Sequence, residues 1–239
     1  MVLIKELSDA QKRAHISLVR QYFEEMKGDT DVHISFFDNG SEKGVYEVTA
    51  GQETYLAAIA TSENTNRRLL AEYNVLSQLY SAAPHLFPRP LAHYAPQDVY
   101  EQGDLLLMER LPHKNVMKVD KLSYKKGNFY RDLSYEIGKA VAEVQILSGR
   151  FPSDPHDGNI LVRITPEDNL ELKFCDVAQF RSGTLHDAAR SILTNKHERP
   201  ECNRFIVPFR RGMADSVSAT LDVDPEDAWD MFDYFREYN

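Results

Sequence analysis

The segment from Asp154 to Asp176 constrains the fold and the chemistry of this chain more than any other part of the sequence. Asp154 and Asn159 lie in a polar loop that leads into the apolar run 160–164, and Asp176 closely follows a second apolar stretch, 170–174. We predict that the two stretches are strands of a hairpin, which brings the polar side chains together at one end. Carboxylate and amide oxygens so arranged suit Mg²⁺, which also binds substrate phosphates.

The same residue types have a second interpretation, because Asp, Gly and Asn are the commonest residues of turns. The loop alone is therefore about equally typical of a plain connection. Two observations favour a site: Asn159 leads directly into a strand, and Asp176 follows at the end of the next one. One additional carboxylate, Asp154, can orient a hydroxyl group and accept its proton.

The first third of the chain combines two kinds of hydrophobic periodicity. Apolar residues at helical spacing predict a helix over 8–28. Alternating patterns then predict strands at 32–36, 45–49 and 55–60, with Asp-Asn-Gly at 38–40 as a turn between the first two. A long amphipathic helix is predicted over 64–82.

The remaining sequence is richer in helical patterns. A short buried strand is predicted at 104–108, and a helix from about Asn128 to Gly149. Thr184 and Pro225 are typical of helix starts, whereas residues 196–212 are predicted to be irregular. This order predicts an α+β protein with a sheet-rich N-terminal lobe and a helical C-terminal lobe.

Composition excludes several classes of protein. The 239 residues include 28 Lys and Arg against 37 Asp and Glu, a net charge of −9 that argues against a nucleic-acid partner. No stretch approaches the roughly 20 apolar residues that span a bilayer. Two cysteines are too few for a disulfide framework. We expect a soluble protein of the reducing cytoplasm, and a protein delivered into a host cell fits the same composition.

The loop and hairpin resemble the catalytic and metal-binding loops of the protein-kinase-like superfamily. The resemblance is to its atypical branch, which has aminoglycoside-phosphotransferase-like, lipopolysaccharide-kinase-like and minimal kinase members. There the loop reads Asp-x-His-x-x-Asn before an apolar strand, and here it reads Asp154-Pro-His156-Asp-Gly-Asn159. Asp176 matches the metal-binding aspartate, with Ala178 in place of the usual glycine. The resemblance implies that Asn159 and Asp176 hold Mg²⁺ and that Asp154 is the catalytic carboxylate.

The resemblance extends to both predicted lobes. Glu72 occupies the position of the glutamate that the family carries on the helix of its N-lobe, and Met108, Glu109 and Leu111 match the strand and hinge that meet the adenine ring. It implies a two-lobed protein-kinase-like fold with an antiparallel-sheet N-lobe and a shortened, mainly helical C-lobe. The corresponding domains are an N-terminal helical extension at 1–28, an N-lobe at 29–111 and a C-lobe at 112–239.

The sequence departs from the family at its third strand. That strand usually carries a lysine that pairs with the phosphates and with the helix glutamate, whereas Ala58 stands in its place here. Lys43, on the neighbouring strand, is one candidate substitute, and Arg67 or Arg68 is another. A solvent-exposed loop lysine is the alternative interpretation of Lys43.

The candidate nucleotide loop is also incomplete, because Gly40 and Gly44 do not form a full Gly-x-Gly-x-x-Gly motif. Its backbone amides can cradle phosphates, or the segment is a plain hairpin turn.

The resemblance implies an ATP- and Mg²⁺-dependent phosphotransferase. Its partners would be the nucleotide and an acceptor hydroxyl, on a protein or a small molecule, that the sequence does not identify. Two alternatives follow from the missing lysine. One is a pseudokinase that acts as a nucleotide-binding or regulatory module, and the other is an adenylyltransferase built on the kinase fold.

Overall fold

A computed structural model of the chain describes residues 7–39, 43–61, 63–96, 103–153, 155, 158–194 and 205–233. The helices are α1 (Asp9–Tyr22), α2 (Glu63–Ala82), α3 (Phe129–Ser148), α4 (Leu185–Thr194), α5 (Ile206–Leu221) and α6 (Pro225–Asp230). The strands are β1 (Val32–Asn39), β2 (Lys43–Ala50), β3 (Glu53–Ala60), β4 (Pro90–Tyr94), β5 (Leu105–Glu109), β6 (Lys114–Asn115), β7 (Arg150–Pro152), β8 (Ile160–Ile164), β9 (Leu170–Phe174) and β10 (Phe180–Ser182). Within these ranges, no helix combines the length and apolar character that crossing a membrane requires.

The chain forms two compact units, which are described separately. The first unit comprises Met1–Ser77 and Pro88–Leu111, and the second comprises Gln78–Phe87 and Pro112–Asn239. Helix α1 and strands β1 to β5 belong to the first unit, whereas α3 to α6 and the later strands belong to the second. The division into an extension, an N-lobe and a C-lobe stays a prediction.

An antiparallel sheet with the strand order β1-β2-β3-β5-β4 forms the centre of the first unit. Helix α1 covers one face, and the core there consists of Leu18, Val19, Tyr22, Phe23, Val32, Tyr46, Val48, Ala57, Ile59, Leu105 and Leu107. Helix α2 covers the other face through a smaller cluster of Ala58, Ala60, Leu69 and Leu106. The predicted α+β class, with an antiparallel sheet in the N-terminal part, is confirmed.

Local sequence signals define both ends of the first helical segment. Ser8 caps α1 in a capping box with Gln11, in which each residue's side chain hydrogen-bonds the other's backbone. A π-helical turn, Phe23–Lys27, continues the helix, and Gly28 ends it with a φ of 67°. This left-handed backbone favours glycine, so the predicted helix over 8–28 is confirmed.

The predicted turn at residues 38–40 is wrong for its first two residues, because β1 continues through Asn39. Phe37 forms a bulge, after which Asp38 pairs with Val45 and Asn39 with Gly44. The bulge lets β1 keep pairing with β2 despite turn-forming residues. Lys43 and Gly44 are therefore strand residues. Gly40 lies outside the described residues.

Two glycines let helices α3 and α5 approach each other closely in the second unit. A Cβ atom at Gly138 would overlap the carbonyl oxygen of Phe209, and one at Gly212 would overlap the carbonyl oxygen of Tyr135. The two backbones thus pack directly against each other where the helices cross.

This crossing corrects the prediction that residues 196–212 are irregular, which is wrong from Ile206 onward. Pro208 lies in the first turn of α5, where a missing backbone N–H breaks no helical hydrogen bond. Gly212 serves the close contact with α3. Both residues normally indicate loops, and tertiary packing reverses that preference here.

The hairpin of the second unit has the predicted bounds. Ile160 pairs with Phe174, and Ile164 pairs with Leu170. Strand β6 extends the hairpin to a three-stranded sheet. The buried side chains of Ile160, Val162, Leu172 and Phe174 alternate with more exposed neighbours, which fixes the register of a sheet with one buried face.

A buried polar pair joins α1 to the sheet of the first unit. Nδ1 of His15 and the hydroxyl of Tyr46 lie 3.0 Å apart, and both residues are almost fully buried. Burial lowers the pKa of His15 from its ordinary 6.5 to about 4 and raises the pKa of Tyr46 to about 12. Both side chains are therefore neutral at neutral pH.

We predict that His15 makes the stability of the protein depend on pH. The unfolded state takes up a proton on His15 before the folded state does, so stability rises with pH between about 4 and 6.5. His15→Gln should remove on the order of 3 kcal/mol of the stability loss on acidification from pH 7 to 4. Urea unfolding of both proteins across this range measures it. His33→Gln, at an exposed position on β1, is the control, and equal pH dependence in all three proteins would contradict the prediction.

Candidate functional site

An ion pair between Lys43 and Glu72 is the central feature of the candidate site in the first unit. Nζ of Lys43 lies 2.8 Å from Oε1 and 2.7 Å from Oε2 of Glu72. Glu72 lies on α2 and is 4% exposed, whereas the Lys43 side chain is 24% exposed. The carboxylate is thus held away from solvent, while the Lys43 side chain is partly exposed.

The register of the sheet explains how Lys43 reaches Glu72. Lys43 pairs with Ala60, so both side chains lie on the face of the sheet that α2 covers. Ala58, at the position where the family carries its lysine, lies on the same face two residues along β3. Both alanines are buried and small, which leaves room for a lysine to cross from the adjacent strand. Of the two alternative candidates, Arg68 is exposed on α2, and the side chain of Arg67 lies outside the part that the structure describes.

The other predicted nucleotide-binding residues of the first unit divide between the two faces of the sheet. Met108 pairs with Leu56 and packs with the cluster beneath α2, on the same face as Lys43. Glu109 points to the opposite face, and its carboxylate accepts a hydrogen bond from the backbone N–H of Arg89 at 3.1 Å. Leu111 is buried beyond the end of β5.

Gly44 also lies on the face opposite to Lys43, towards α1. A Cβ atom there would come within 2.8 Å of Cδ1 of Leu7 and 3.0 Å of Nδ1 of His15. The packing of α1 against β2 therefore accounts for glycine at this position. Its predicted contact with phosphates stays a prediction.

Three residues that the sequence did not single out accompany Lys43. Glu47 follows four residues later on the same strand face, and its carboxylate lies 2.7 Å from Nε of Arg110. The guanidinium of Arg110 also lies 4.8 Å from the ring centroid of Phe37. The spacing of Lys43, Val45 and Glu47 was the available signal, because alternate residues of a strand share a face.

The hairpin of the second unit places Asn159 and Asp176 at the same end. Asn159 directly precedes β8, and Asp176 lies two residues beyond β9. The N–H of Cys175 donates to the carbonyl oxygen of Asn159 at 3.1 Å, which extends the ladder up to the candidate site. Oδ1 of Asp176 accepts a hydrogen bond from the N–H of Ala178 at 3.2 Å.

Asn159 and Asp176 are chemically suited to Mg²⁺. Both are half-buried, and together they offer one carboxylate and one amide oxygen. Such oxygens are the ligands that Mg²⁺ takes alongside water and phosphate oxygens. Asp154, the predicted catalytic carboxylate, lies outside the described residues.

Comparison with known proteins assigns the class. The family model of the phosphotransferase enzyme family, APH, matches residues 33–187, which include the ion pair and the hairpin. The chain belongs to this family and has a protein-kinase-like fold.

Two individual proteins show the likeness. AarF domain-containing kinase 1 of Drosophila melanogaster is 36% identical over 77 residues, which are 32% of this chain and 15% of that protein. A crystal structure of spectinomycin phosphotransferase, APH(9)-Ia, in complex with ADP and spectinomycin matches with a TM-score of 0.59 and 10% sequence identity. That match covers 82% of this chain and 79% of the other, and it supports the fold.

We predict that Lys43 and Glu72 are energetically coupled. Lys43→Met removes the ammonium beside a buried carboxylate and should destabilise the protein by about 1–3 kcal/mol. In the Lys43→Met/Glu72→Gln double variant, the loss should be smaller than the sum of the two single losses. Urea unfolding of the four proteins gives the coupling energy. Lys27→Met, at an exposed position, is the control, and additive losses would contradict the pairing.

Proposed function

We propose that the chain is an ATP- and Mg²⁺-dependent phosphotransferase that moves the γ-phosphoryl group to a hydroxyl. The observation that carries the proposal is the pair of Lys43 and Glu72, 2.7 Å apart on the covered face of the sheet. It supplies the cation from β2 and the carboxylate from α2, whereas a kinase-like site normally obtains its cation from the third strand.

The net negative charge of the chain explains why a positioned lysine is important for binding a nucleotide. The chain has a net charge of −9, yet its proposed substrate is a polyanion. Glu72 fixes the position of the Lys43 ammonium, and the Lys43 side chain is only partly buried. A positioned donor avoids the entropic cost of ordering a flexible lysine when the nucleotide binds.

The polar residues at the end of the hairpin act on the triphosphate and the acceptor. Asn159 and Asp176 hold Mg²⁺, which neutralises phosphate charge when bound. Asp154 orients the acceptor hydroxyl and takes its proton as the oxygen bonds to the γ-phosphorus. The bond from that phosphorus to the bridging oxygen breaks, and ADP leaves with its electron pair.

Different observations support the assignment of the nucleotide and of the acceptor. ADP is present in the structure of spectinomycin phosphotransferase, and Met108 gives this chain an apolar side chain on the Lys43 face for a base. The acceptor is a hydroxyl of a small molecule or a protein. Localisation in the cytoplasm belongs to the same proposal.

The direct test uses ATP labelled at the α or the γ phosphate. With Mg²⁺ and a panel of hydroxyl acceptors, including aminoglycosides and protein, we expect label from the γ position in the acceptor or in water. Asp176→Ala should lower the rate by about 10²-fold or more, because phosphate charge is then less well neutralised.

The same experiment separates the alternatives. Label from the α position in the acceptor would replace the proposal with an adenylyltransferase. Magnesium-dependent binding without transfer to any acceptor or water would replace it with a nucleotide-binding module. Lys27→Ala should leave the rate unchanged, since that side chain is exposed on the turn after α1.

A further inference from the structure

The start of strand β2 is held from both faces of the sheet. Neighbouring residues of a strand point to opposite faces, so Lys43 points towards α2 and Gly44 towards α1. On one face the ammonium of Lys43 meets Glu72. On the other face the backbone of Gly44 lies beneath Leu7 and His15.

The contact at Gly44 leaves no room for a side chain unless a neighbour moves. A methyl group would lie 2.8 Å from Cδ1 of Leu7 and 3.0 Å from Nδ1 of His15, both of which are buried residues. A substitution must therefore move the end of the Leu7 side chain and shift the His15 ring by a few tenths of an ångström. Glycine at this position therefore lets the α1 segment pack closely against β2.

A buried hydrogen bond fixes the same place. His15 and Tyr46 share it at 3.0 Å, and their rings meet edge to face with centroids 5.7 Å apart. Tyr46 lies two residues after Gly44 on the same strand face and is fully buried. Breaking such a bond leaves a buried polar group unsatisfied, so α1 resists sliding along β2.

We infer that Leu7 and His15 are positioning residues for the phosphate-binding lysine. They fix the position and direction of the first residues of β2. Through the backbone of this strand they keep the Lys43 side chain beside Glu72. This inference rests on the proposed function for its consequence in turnover, but the position of Lys43 can be measured without nucleotide.

A buried residue elsewhere on α1 distinguishes a positioning role from a purely stabilising one. Val19 is also buried on α1, within the core shared with the sheet. If α1 served stability alone, the loss of the Val19 side chain and a change at Gly44 would affect Lys43 in the same way. A positioning role predicts that Gly44 affects Lys43 and that Val19 does not.

The test compares Gly44→Ala, Leu7→Ala and Val19→Ala with the parent protein. Acetylation of the Lys43 amine by acetic anhydride, followed by mass spectrometry without nucleotide, reports whether the lysine stays at Glu72. Circular dichroism confirms that each variant is folded at the temperature used. ATP affinity and turnover are measured in parallel.

We expect Gly44→Ala to raise the acetylation rate of Lys43 several-fold and to weaken ATP binding by about tenfold. Leu7→Ala, which removes a side chain that holds the start of β2, should change both values in the same direction and by less. Val19→Ala should change neither. Should Gly44→Ala not fold, His15→Gln is measured in its place, with the same directions and smaller changes.

Two results would overturn the inference. One is equal Lys43 reactivity in the Gly44→Ala and Val19→Ala variants, and the other is unchanged Lys43 reactivity in Leu7→Ala. A parent protein that binds no ATP, while Gly44→Ala still raises Lys43 reactivity, would refute the proposed function and leave the positioning role standing.

Discussion

The candidate site of the first unit depends on the ion pair between Lys43 and Glu72. It joins β2 to α2 beside a buried apolar cluster of Ala58, Ala60, Leu69 and Leu106. A buried carboxylate is costly unless a cation compensates it, so Glu72 requires Lys43 as much as Lys43 requires a fixed position. We propose that this lysine on the neighbouring strand takes the place of the lysine that is missing at Ala58.

The same face of the sheet explains the choice of residues around the pair. Ala58 and Ala60 are small where the Lys43 side chain must cross, and Met108 is apolar where a base is proposed to lie. The opposite face has different requirements. There Gly44 and Tyr46 meet α1, so alternate residues of one strand serve packing and the proposed chemistry.

Much of the fold could be predicted from the sequence because local patterns determine it. The hairpin at 160–174 alternates regularly, and the capping residues of α1 form their own hydrogen bonds. The errors arose where distant contacts override local preference. Pairing with β2 draws the residues at 38–39 into a strand, and the crossing with α3 makes a helix of the segment from Ile206 onward.

The candidate site was less predictable because strand register is a property of the pairing. Glu72, Asn159 and Asp176 were predicted from their order along the chain, and Lys43 was one of several candidate cations. The opposite directions of Met108 and Glu109, and the contact of Gly44 with α1, can be seen only once the pairing of the strands is known.

The most direct test moves the cation from β2 to β3. ATP affinity and turnover are measured for Lys43→Ala and for Lys43→Ala/Ala58→Lys. We predict about 10²-fold lower kcat/KM in the first and substantial recovery in the second, since the lysine returns to the same sheet face. Undiminished kcat/KM in Lys43→Ala would contradict the central claim.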